Sequence, residues 1–85
     1  MNVKINVDER LRELIVKDSP VSITCGDIKE DTDLINDLGF DSIQIMKFLT
    51  EVENEFGIEI EDEYLSLEII GKFGNLKETI EARIH

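Results

Sequence analysis

Apolar residues recur at helical spacing in three stretches of this chain, and each stretch opens behind a residue suited to capping a helix. Val7, Leu11, Leu14 and Ile15 share one helical face, with Asn6 and Glu9 in the N-x-x-E pattern of a capping box. The spacing predicts a first helix over 7–17. Ser19-Pro20 ends it, because proline disfavours helix in the residue before it. A second helix is predicted over 42–56. Asp41 and Gln44 stand at capping-box spacing before it, and Gly57 follows as a terminating glycine. A last helix is predicted over 76–84, capped by Asn75 with Glu78 three residues on. Its Leu76, Ile80 and Ile84 form one stripe, and Phe73 is placed just ahead to pack on that stripe.

The stretches between are less regular. No sustained period runs through 21–40, where Ile23, Ile28, Leu34, Ile35 and Leu38 are scattered apolar anchors. A connection this long is uncommon and usually functional. It is expected to cross the bundle surface with a short helical turn of its own. Asp62 is suited to cap a short third helix through Leu67, followed by a connection over 69–72 around Gly71. The expected fold is therefore all-α: one domain over 1–85, a four-helix bundle with a long loop between the first two helices and a short third helix.

On the second helix, successive residues advance by about 100°. Ile45, Phe48, Leu49, Val52 and Phe56 then share a face and read as core. Ile43, Lys47, Thr50 and Asn54 fall opposite, with Met46 at the border. Ile43 and Met46 either tuck under the long loop or form part of a docking surface for a partner.

Charge narrows the function classes. Twenty acidic residues face nine basic ones, a net charge of −11. Such a surface repels phosphate backbones and anionic membranes, so nucleic acid and membrane insertion are disfavoured, and basic partner surfaces are favoured. No run is apolar and long enough for a signal peptide or membrane span, and a cytoplasmic location is expected. Cys25 is the only cysteine, so no internal disulfide forms, and it reads as a small filler or loop residue. The acidic run from Asp31 is a weak match to an EF-hand loop, because its sixth and twelfth positions are Asn36 and Ser42 instead of glycine and a carboxylate, which leaves only loose divalent-ion binding by the acidic face open.

Ser42 opens the second helix, where amides lack intrahelical partners and the dipole leaves partial positive charge. That is the place of an ordinary capping serine, and equally a place where an attached phosphate is favoured. A catalytic serine needs a base, and the one histidine is His85 at the far end.

The stretch Asp37-Leu38-Gly39-Phe40-Asp41-Ser42-Ile43 resembles the D-L-G-x-D-S-L attachment motif of acyl and peptidyl carrier proteins, with isoleucine in the last place. Downstream, Glu55-Phe56-Gly57-Ile58-Glu59-Ile60 resembles the E-F-G-I-E-I stretch of the same family. The resemblance implies a freestanding, monomeric acyl carrier protein without catalysis of its own. In such a protein a phosphopantetheinyl transferase moves 4'-phosphopantetheine from coenzyme A to Ser42. Asp41, besides capping, matches the family aspartate that helps bind the metal ion during that transfer. Acyl-activating enzymes, acyl-transferring enzymes and synthases of fatty-acid, polyketide or other acyl pathways are the implied partners.

The resemblance also places partner docking on Ile43, Gln44, Met46, Lys47, Thr50 and Asn54. Lining for an acyl chain falls on Leu49, Ile60, Leu65, Ile69 and Ile70, although plain core packing accounts for these equally. The docking face departs from the strongly acidic pattern of fatty-acid carriers, with Lys47 the sharpest change. Glu61 replaces the usual proline after Ile60, and the connection over 69–72 is longer than usual. These departures point to a dedicated pathway. Two alternatives stay open: an aminoacyl, peptidyl or D-alanyl carrier, mildly favoured by Phe40 and the less acidic face, and a helical adaptor with unmodified Ser42.

Overall fold

The computed structural model describes residues 6–60 and 71–84. Among them are three α-helices, α1 (Val7–Asp18), α2 (Ser42–Phe56) and α3 (Phe73–Ile84), and one 3-10 turn at Cys25–Asp27. The described residues hold no strand, only an isolated antiparallel bridge between Asp33 and Lys72. The architecture is all-helical, as expected. The short third helix expected over 62–67 lies outside the described residues, so the described helices number three.

Local signals set the first two helices. The Asn6 side chain accepts from the Glu9 amide at 3.0 Å and caps α1. Ser19 follows in extended backbone ahead of Pro20 and closes it. α2 begins behind Asp41 and ends at Gly57, which holds φ +64, a left-handed conformation that costs a side-chain-bearing residue. The apolar faces of α1 and α2 then meet. Leu11, Ile15, Ile45, Val52 and Phe48 are almost wholly buried, with Leu14, Leu49 and Phe56 beside them.

α3 starts at Phe73, three residues before the expected start. Asn75 is no cap; its carbonyl accepts from the Thr79 hydroxyl inside the helix. The first turn is fixed from outside. The Phe73 amide donates to the Thr32 carbonyl at 2.9 Å and the Gly74 amide to the Glu30 carbonyl at 2.8 Å. Phe73 is fully buried with Leu76 and Ile80.

The long connection is well tied. Its 3-10 turn is closed by Asp27, whose carboxylate accepts from the Thr24 amide at 2.9 Å. The Thr32 hydroxyl accepts from the Lys29 amide, and Asp33 accepts from the Ile35 and Asn36 amides. Asp33, first of the carboxylates an EF-hand would have needed after Asp31, is thus committed to a turn. Ile28, Leu34 and Leu38 are buried and Ile23 and Ile35 half-buried, so all five expected anchors hold the segment down. One cation completes the attachment. Arg12 of α1 donates to the Cys25 carbonyl at 3.0 Å and to the Ile28 carbonyl, and lies 4.6 Å above the Phe73 ring. Cys25 itself is a half-buried free thiol in that turn.

Candidate functional site

The end of the long connection delivers Ser42 to the surface. Gly39 turns the chain at φ +84. Phe40 then plunges into the core and meets Phe48 edge to face, with ring centroids 5.8 Å apart. The Phe40 amide donates to the Leu34 carbonyl at 2.9 Å, which holds this reversal. Phe40 is therefore a core residue and does not bear on the kind of cargo. Asp41, Ser42 and Ile43 emerge exposed immediately after it.

Asp41 caps α2, its Oδ1 accepting from the Gln44 amide at 2.7 Å. The reciprocal half of the expected capping box is missing. Gln44 instead turns its side-chain amide to the Asp18 carbonyl at the end of α1, at 2.8 Å. That bond supplies one of the acceptors' partners that a helix C-terminus lacks. The first intrahelical bond of α2 runs from the Ile45 amide to the Asp41 carbonyl, at 2.9 Å. The amides of Ser42 and Ile43 precede it and, with the helix dipole, offer positive potential to an anion at the Ser42 hydroxyl. An exposed hydroxyl at this end has both the room and the electrostatics for a phosphodiester. His85 lies outside the described residues.

The expected docking residues lie on one side of α2. Ile43 is 69% and Met46 48% exposed, so neither is tucked under the loop. Lys47, Thr50 and Asn54 are exposed too, while Gln44 is half-buried by its bond to α1. Val21, 47% exposed, is a third large apolar side chain in solvent that the sequence did not single out. Its only signal was its place after Pro20, outside any helical stripe. Of the expected acyl-chain lining, Leu49 and Ile60 sit in the main core. Leu65, Ile69 and Ile70 lie outside the described residues.

Beside Ser42, a groove of about 620 Å³ opens between the end of α1 and the first turns of α2. Its walls carry Asp18, Gln44, Lys47 and Glu51, with Ile43 and Phe48 as the apolar part. Desolvation, then a shared hydrogen bond with Glu51, pushes the Asp18 carboxyl up to about 6. Glu51 is lowered, first by that same bond and then by Lys17, whose ammonium lies 3.1 Å away. Within this pair Asp18 is shifted up and Glu51 down. Sequence reading missed Asp18, because nothing local marks the end of α1 as a neighbour of Glu51.

A family model described as a phosphopantetheine attachment site matches residues 5–76. The chain belongs to that family. The group such a domain bears is 4'-phosphopantetheine, covalently bound. The match spans all of α1, the long connection and α2, and reaches into α3. It therefore includes every described residue of the Ser42 region. Membership marks the chain as a carrier of this group.

Proposed function

We propose that this chain is an acyl carrier protein, holding acyl groups as thioesters on a 4'-phosphopantetheine arm esterified to Ser42. The observation that carries the reading is the exposure of Ser42 at the first turn of α2, inside the stretch Asp37 to Ile43. When bound, the group supplies a terminal thiol that forms the thioester. The chain's own residues do the rest. Ser42 offers its hydroxyl oxygen to the phosphorus of coenzyme A. The P–O bond to the adenosine bisphosphate portion breaks, and the hydroxyl proton leaves to a base of the transferase. Asp41 keeps α2 capped and presents a carboxylate beside the reacting oxygen, suited to a metal ion brought by the transferase. Gly39 and Phe40 fix the backbone on which Ser42 stands.

Ile43 and Met46 give partner enzymes an apolar footing next to the attachment point, and the exposed Lys47, Thr50 and Asn54 set the polar code around it. Lys47 on this face favours a dedicated set of partners over the enzymes of general fatty-acid synthesis. In the folded chain α2 meets the transferase as a preformed element, so recognition needs no folding step.

Coexpression with a broad-specificity phosphopantetheinyl transferase tests the reading. Intact mass should rise by roughly 340 Da, the mass of the arm's chemical composition, and Ser42→Ala should abolish the gain. A chain that stays unmodified with an active transferase would return Ser42 to a capping role and the molecule to a helical adaptor. Loading of the holo form by an amino-acid-activating enzyme instead of an acyl-activating one would select the aminoacyl carrier.

A further inference from the structure

The groove between the end of α1 and the start of α2 lies on the flank of α2 that leads away from Ser42. Gln44, Lys47, Phe48 and Glu51 follow one another along it at helical spacing. From Ser42 to Glu51 the helix rises about 14 Å at 1.5 Å per residue. The volume of about 620 Å³ lies within the usual range of small-molecule sites.

We infer that this groove is the resting place of the pantetheine arm, a reading that rests on Ser42 being the attachment point. The chemistry of the two surfaces matches. The arm is uncharged beyond its phosphate and carries two amides, a hydroxyl and a geminal dimethyl group. Asp18 and Glu51 supply carboxylate oxygens to accept from its N–H and O–H groups. Lys47 supplies an ammonium to donate to its carbonyls. Ile43, 69% exposed, supplies apolar surface for the methyl groups. Among the described residues Lys47 makes no ion pair, so its donors are available to this wall.

Other occupants fit less well. A second copy would bring another net charge of −11 against the first. A basic side chain of a partner would be drawn by Asp18, Asp41 and Glu51, but Lys47 stands among them. A neutral ligand rich in both donors and acceptors avoids both penalties, and a tether at Ser42 gives the arm a high effective concentration over the groove. In this position the arm lies against α1 and α2, and Lys47 acquires a task that does not involve partner proteins.

The test uses isotope-labelled full-length chain, converted to the holo form by transferase and coenzyme A. Intact mass and a Ser42-containing peptide establish the attachment in the same sample. Amide shifts of apo and holo forms are then compared, and contacts from the geminal methyls are sought by nuclear Overhauser effects. The groove reading expects shift differences at Asp18, Lys47, Phe48 and Glu51, with methyl contacts to Ile43. In Lys47→Glu, an exposed change that leaves the fold intact, the Asp18 and Glu51 differences should fall by about twofold or more as the docked fraction drops. Holo protein whose differences are confined to 40–44 would overturn the groove reading alone. The same holds for differences at Asp18 and Glu51 that Lys47→Glu leaves unchanged. A missing mass gain at Ser42 would instead overturn the carrier proposal, and this inference with it.

Discussion

Arg12 joins three parts of the molecule, and its removal offers a measurable consequence. Its side chain is only 21% exposed. The guanidinium donates to Asp8 at 2.6 Å, one turn back on α1, and to the Cys25 and Ile28 carbonyls of the long connection. It also covers the Phe73 ring of α3. Arg12→Ala leaves two loop carbonyls without their charged donor, and Ile28 is a buried residue. An unsatisfied or poorly resolvated acceptor costs about 1–3 kcal/mol. Loss of the contact with Phe73 adds about 0.5–1 kcal/mol. The half-exposed pair with Asp8 adds at most about 0.5 kcal/mol. Lys77 partly compensates, because it also pairs with Asp8 at 3.2 Å and lies 5.6 Å from the same ring. The net expectation is a loss of about 3 kcal/mol. For a domain of this size that lowers the melting temperature by about 12–24 °C. Arg12→Lys keeps the charge but not the fork that reaches both carbonyls, and should lose about 2 kcal/mol. Urea unfolding followed by circular dichroism measures both, and amide exchange at Gly26 to Ile28 locates the loosening. Arg10→Ala is the control, since Arg10 makes only exposed pairs with Glu13 and Glu55 and its loss should change little. If Arg12→Ala were no less stable than Arg10→Ala, the loop would be held by its apolar anchors and not by this cation.

Gly74→Ala should destabilise by about 1–2 kcal/mol, because a Cβ there would come within 2.8 Å of the Glu30 carbonyl oxygen. A rise in melting temperature would mean that the connection yields easily at Glu30. The folded chain raises the Asp18 carboxyl from 3.8 to about 6, so its charged form opposes folding above pH 6, and that cost fades as pH falls towards 3.8. Asp18→Asn should therefore raise stability by about 1 kcal/mol at pH 7.5, allowing for solvent screening, and by progressively less on acidification. An equal gain at pH 7.5 and pH 4 would refute the upward shift of Asp18. With a net charge of −11, added sodium chloride should raise the melting temperature by weakening self-repulsion, and a flat response would show that repulsion is unimportant.

The sequence made α2 legible to the residue, because its limits are set locally by Asp41 and Gly57 and its core face by simple spacing. The start of α3 was not legible. Asn75 and Glu78 imitate a helix opening, but the carbonyls of Glu30 and Thr32 satisfy the Phe73 and Gly74 amides earlier, and those partners lie some 40 residues back. Gln44 misled in the same way. Its spacing from Asp41 suggested a bond to that residue's amide, and the Asp18 carbonyl of a neighbouring helix took it instead. Phe40 was read for its motif position, yet its burial against Phe48 follows from a turn at Gly39 that carries no period. For the candidate site, Ser42 was singled out by motif and helix position together, and the structure shows it exposed at the start of α2. The groove beside it was invisible, since it arises where two chain segments of separate periodicity happen to meet.

If Ser42 carries the proposed arm, the seating of Phe40 against Phe48 has a consequence for how a tethered cargo moves. A ring clasped in the interior two residues before Ser42, and a helix beginning at Ser42 itself, leave the anchorage almost no play. Whatever swing a cargo needs to visit one enzyme after another must come from the tether's own torsions. The protein then acts as a fixed mooring, and the reach of the chemistry is set by the length of the line and not by bending of the post.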